Sequence, residues 1–122
     1  MVSNIITITD TLLIIEPSHL DKLWSFKKRL ELPFSHIKGA TLDSGILDER
    51  KGIKALGLGM PGKWAGTFVK QGQQTFYNIQ RPEEAVVIQL VDEDYDRLVL
   101  GTKEPRQLVD KINNLLEERR IL

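Results

Sequence analysis

The sequence contains no cysteine. Disulfide bridges, zinc thiolates and thiol nucleophiles are therefore excluded. Histidine is nearly as scarce, with His19 and His36 the two in the chain. Neither has a second histidine or a carboxylate at ligand spacing on its own element, so local sequence assembles no metal centre. Charge of one sign is also missing: Lys plus Arg is 17, Asp plus Glu is 17, and the formal net charge is zero. General nucleic-acid binding needs a basic excess or stripe, so that class is set aside. No apolar run approaches ~18 residues, which argues against membrane insertion. Met1-Val2-Ser3-Asn4 lacks the charged start of a secretion signal. A soluble, cytoplasmic protein is expected.

What is present is a 122-residue chain with 41% apolar residues. That length suits one domain with a real core, here 1–122. The most informative stretch is the last forty residues. From Pro105, apolar residues fall at Leu108, Val109, Ile112, Leu115 and Leu116. At 100° per residue they form one stripe roughly 120° wide, as on a helix lying against a core. Thr102 is a candidate cap, Glu104 suits the positive helix end, and Pro105 tolerates the first turn. Arg119 and Arg120 suit the negative end. The spacing predicts a helix over 103–119.

Two β-branched runs precede that helix. Ala85 to Val91 is apolar on both faces except Gln89, which predicts a strand covered on both sides. Arg97 to Leu100 is the second, and Asp92-Glu93-Asp94 between them reads as a hairpin connection. Earlier in the chain, strands are expected at 4–9 and 11–16, with Thr9-Asp10 turning between them. A single helical turn follows at His19–Trp24. Phe26, Lys28, Leu30 and Leu32 alternate with Lys27, Arg29 and Glu31, predicting a half-exposed strand that Pro33 ends or makes an edge. Further strands are expected at 37–42, 53–58, 64–69 and 75–79. Gly59-Met60-Pro61-Gly62 and Lys70-Gln71-Gly72-Gln73 read as turns. Asp43 to Gly52 reads as a polar loop or short helix, the most flexible part of the chain and a candidate partner-binding loop. About eight or nine short strands so spaced make a sandwich or barrel.

In three places the chain resembles the pleckstrin-homology (PH) superfold. One is Leu20-Asp21-Lys22-Leu23-Trp24 with Leu32-Pro33-Phe34-Ser35-His36-Ile37-Lys38-Gly39. Another is Gly59-Met60-Pro61-Gly62 running into Gly66-Thr67-Phe68. The third runs from Ala85-Val86-Val87-Ile88 through Tyr95-Asp96-Arg97-Leu98-Val99-Leu100 to Pro105 and the helix. The chain is similar to small stand-alone bacterial PH-like proteins of unassigned function. The resemblance implies about seven or more antiparallel strands in two roughly orthogonal sheets, closed at one corner by the C-terminal amphipathic helix. It implies no activity and no cofactor, because fold alone does not carry function. PH domains that bind phosphoinositides do so with basic residues near the first hairpin loop. Here that loop is Thr9-Asp10, short and acidic, so the resemblance argues against phosphoinositide binding.

Candidate chemistry is sparse. Gly57-Leu58-Gly59-Met60-Pro61-Gly62 fits G-x-G-x-x-G, but phosphate-binding versions need a helix immediately after the loop. Lys63-Trp64-Ala65-Gly66-Thr67-Phe68-Val69 reads as a strand instead. His36 is a general base in principle, yet sequence names no nucleophile for it. Asp92, Glu93, Asp94 and Asp96 lack the spacing of a calcium loop. Lys27, Lys28 and Arg29, with Lys54 and Lys63, are the candidate patch for an anionic ligand or membrane surface. Lysines on a half-exposed strand also serve to deter edge pairing. The expectation is therefore a non-enzymatic module that binds a protein, or a second copy of itself, through strand edges or the open corner. The alternative is a peripheral adaptor using the basic patch.

Overall fold

The structure, a computed structural model, describes residues 3–18, 29–48, 53–60 and 62–121, with 53–60 and 121 given by their backbone. The helical turn expected at His19–Trp24 and the start of the strand expected before Arg29 lie outside these residues.

The first hairpin pairs β1 (Asn4–Ile8) with β2 (Leu12–Pro17). Its turn is held by the Thr9 hydroxyl, which accepts from the Leu12 amide at 3.0 Å. Strand β3 (Leu30–Pro33) pairs antiparallel with β2 and completes a three-stranded sheet. Pro33 both ends β3 and leaves it as the sheet's last strand, as its missing N–H requires.

A single 3-10 turn over Phe34–His36 leads into β4 (Ile37–Leu42). The second sheet contains β4, β5 (Ile53–Met60), β6 (Lys63–Lys70), β7 (Gln73–Gln80), β8 (Val86–Leu90) and β9 (Arg97–Leu100). Its order is β4-β8-β9-β7-β6-β5. The β6–β7 turn has two residues with positive φ, Gln71 at 54° and Gly72 at 80°. Two such residues make the tight turn whose twist matches that of the flanking strands.

One expectation is corrected. The strands are not all antiparallel, since β9 runs parallel to β7. The cause is the order of insertion. After β7 the chain skips one position, β8 pairs with β4, and β9 returns into the vacant slot. Two reversals leave β9 pointing the same way as β7, and no helical crossover is involved. Among the described residues neither sheet closes on itself. The molecule is mainly β, with two sheets and one terminal helix.

That helix, α1, spans Pro105–Ile121. Val109 and Ile112 are buried, and Leu108, Leu115 and Leu116 pack partly against the same core. The predicted stripe is therefore the buried face. Thr102 does not cap the helix as expected. It forms a parallel bridge with Asn4, and its hydroxyl donates to the Asn4 carbonyl at 3.3 Å.

Period-2 alternation in the central strands divides the core into two clusters. Phe76, Ile88 and Leu98 face the small sheet and α1, meeting Leu13, Ile15, Leu32 and Ile112. Tyr77, Val87 and Val99 face the other way and meet Phe68, Ile79, Ile46 and Leu47. Ile46 and Leu47 lie on a 3-10 helix, Ser44–Asp48, and are buried. This part of the Asp43–Gly52 segment is thus anchored in the core, whereas sequence polarity alone pointed to a flexible loop.

Candidate functional site

Binding through strand edges depends on which edges are closed. The outer side of β4 meets the helix. The Asn113 side chain accepts from the Ala40 amide at 3.0 Å and donates to the Ala40 carbonyl at 2.8 Å. One side-chain amide therefore reproduces both hydrogen bonds of a strand neighbour. Burying Val109 and Ile112 fixes α1 against β4 and so aims Asn113 at this point.

The start of β1 is closed by a different device. The Asn4 amide donates to the carbonyls of Asn78 at 2.9 Å and Gly101 at 2.8 Å. Asn78 returns donation to Ser3 O at 3.0 Å and Asn4 Oδ1 at 2.9 Å. Both asparagines are fully or almost fully buried, and all these bonds tie the N-terminal strand to the second sheet. Glu83 accepts from the Ser3 amide at 2.9 Å and from the Ser3 hydroxyl. A Cβ on residue 101 would meet the Glu83 carboxylate, which would have to move off its bonds to Ser3 to make room.

The outer side of β5 has no paired strand among the described residues. Its backbone directions follow from the ladder. The two-residue turn closes on a hydrogen-bonded pair, Lys70 with Gln73. Alternation then turns Lys63, Ala65 and Thr67 toward β5. Their partners Met60, Leu58 and Leu56 bond inward. Gly57 and Gly59 consequently direct their N–H and C=O groups to the open side. The register shift between Lys54 and Leu56 is a bulge that limits this flat edge to its second half.

A second feature is a cleft of about 560 Å³ where the 3-10 turn, β4 and the end of α1 meet. Phe34, Ile37 and Leu116 line it together with Lys38, Arg119 and Arg120. The Arg119 guanidinium stands 5.1 Å from the Phe34 ring centroid and donates to the Asp10 carbonyl at 2.5 Å. Arg120 lies 3.6 Å from Glu117, with both side chains well exposed.

The basic residues singled out in the sequence are not gathered into one described patch. Lys27 and Lys28 lie outside the described residues, and Lys54 is given by its backbone on β5. Arg29 is exposed and paired with Glu31 at 2.9 Å. Lys63 is 8% exposed, with Nζ 3.4 Å from Asn78 Oδ1, so its charge is turned inward. The cations that do converge are Lys38, Arg119 and Arg120. Along the chain the two arginines stand out only as helix-end charges, because Lys38 and Arg119 are 81 positions apart.

The remaining motifs resolve into structural roles. Gly57 and Gly59 lie within β5, whose last residue, Met60, pairs with Lys63 of β6, and Gly62 has φ 78°. A phosphate loop would need a helix there. His36 pairs through Nδ1 with Glu93 at 2.6 Å, a contact across 57 residues that local spacing could not reveal. His19 lies outside the described residues. The acidic segment forms the β8–β9 connection, with Asp96 accepting from the Gln74 amide at 2.8 Å. Among the described residues no three His, Asp or Glu side chains come together to hold a metal ion. No helix among them is long and apolar enough to cross a membrane.

No family model matches the chain, no curated protein matches it, and no solved structure matches it.

Proposed function

We propose that the protein is a non-enzymatic, cytoplasmic binding module of PH-like architecture that takes an extended partner-protein segment along the outer edge of β5. Backbone pairing supplies affinity without any special side chain, and glycines leave room for a close approach. The observation that carries this reading is the outward set of backbone groups at Gly57 and Gly59, on a sheet whose opposite edge is sealed by Asn113. The PH-like part of the proposal is supported by two sheets and a terminal helix that buries its apolar stripe. The parallel β7/β9 pair is a departure from a simple meander.

The alternative, an anionic-surface adaptor built on Lys27, Lys28, Arg29, Lys54 and Lys63, is weakened by the inward Lys63. Co-sedimentation with anionic vesicles at low salt tests it, and absence of binding removes it.

The edge reading is tested by capturing partners from the native host with the wild-type chain and with Gly57→Pro. Proline removes the outward N–H while sparing the β6 ladder. Partners retained equally by both chains would overturn the proposal. A partner lost with Gly57→Pro, and new exchange protection at Gly57 and Gly59 in the wild-type complex, would support it.

A further inference from the structure

We infer that two copies of this chain dock face to face, each placing its Val91–Asp94 turn on the Lys38/Arg119/Arg120 cleft of the other. The inference does not depend on the β5 edge.

Val91 is 40% exposed, one of two large apolar side chains so exposed among the described residues. Asp92 and Asp94 follow it and are exposed, while Glu93 is turned back to His36. An apolar residue flanked by carboxylates is the chemical complement of the cleft. There, half-buried Leu116, with the buried Phe34 and Ile37 beneath, lies among three cations.

The two surfaces also adjoin. The Val91 amide donates to the His36 carbonyl at 2.9 Å. His36 separates Ser35 from Ile37 and Lys38, all of which line the cleft. The boundary between the acidic turn and the basic cleft is therefore the His36–Glu93 pair. A two-fold axis near that boundary lays the acidic half of one copy on the basic half of the other, twice over. A net charge of zero removes overall repulsion between copies. Asp92 has φ 60°, a left-handed position within this turn, and Val91 and Asp94 on either side of it are exposed. Glu117, already beside Arg120, is the carboxylate that competes for the cleft.

The contact is small and electrostatic, so association should weaken about tenfold or more between low and high salt. Sedimentation velocity over a concentration series reads this directly. Two double variants spare the fold contacts of Arg119 and the backbone of the turn. One is Lys38→Glu with Arg120→Glu; the other is Asp92→Asn with Asp94→Lys, since Asn tolerates the left-handed position. The expected result is a salt-sensitive dimer for the wild type, monomers for each variant alone, and a dimer restored on mixing the two. A wild-type monomer at every concentration in low salt would overturn the inference. So would a dimer untouched by both variants. A dimer lost with Gly57→Pro instead would place self-association on β5 and overturn this assignment while leaving the edge reading intact.

Discussion

The two outer strands of the six-stranded sheet face the same problem and solve it differently. On β4 the outward N–H and C=O of Ala40 are taken by the Asn113 side chain from a helix packed on the sheet. On β5 a bulge interrupts the first half, and no strand among the described residues pairs with the Gly57–Gly59 half. An unpaired edge invites other chains to add to it. One edge is thus sealed by a side chain with two directional bonds, while the other carries glycines at positions 57 and 59, near its end, with their backbone groups turned outward.

The comparison can be broken from the β4 side. Ile112 is fully buried and holds α1 in place. Ile112→Ala should cost about 2–5 kcal/mol in denaturant unfolding. It should also loosen the Asn113 seal, so exchange at Ala40 should accelerate beyond what global destabilisation explains. Next in size is Asn78→Ala, which strips partners from Asn4 and Ser3. Leaving buried polar groups unpaired costs about 1–3 kcal/mol. Because this network lies away from both outer edges, Ala40 should stay more protected than Gly57. A reversal of that order would show that the edges are not independent of the N-terminal strand.

Asn113→Ala acts on the seal itself and should cost about 1 kcal/mol, since water can replace part of what is lost. Its clearer signature is local: exchange at Ala40 should rise toward that at Gly57. The smallest effect belongs to Gly57→Pro. It removes no bond within the sheet and restricts the unfolded chain, so stability should change by about 1 kcal/mol or less. A loss several times larger in the same denaturant measurement would mean that the Gly57 amide bonds inward.

Much of this could be read from the sequence before the structure. The helix stripe at Leu108, Val109, Ile112, Leu115 and Leu116 and the two-sided run from Ala85 to Val91 announced a helix on a doubly covered sheet. Periodicity reports burial, and burial is what those residues experience. The parallel β7/β9 pair was not visible, because strand order is set by long-range insertion and leaves no local mark. Ile46 and Leu47 were hidden by polar neighbours. The sealing role of Asn113 was hidden for a similar reason: on a helical wheel it sits with the polar face, and only the position of β4 makes it a partner for Ala40. The cleft cations come from two distant segments, so reading along the chain favoured the contiguous Lys27-Lys28-Arg29 instead.

The central claim is the inequality of the two edges, and residue-resolved amide hydrogen exchange on the wild-type chain tests it most directly. The account predicts slow exchange at Ala40 and fast exchange at Gly57 and Gly59, with the alternate residues Leu56 and Leu58 protected by β6. Equal protection at Ala40 and Gly57, or protection greater at Gly57, would contradict it.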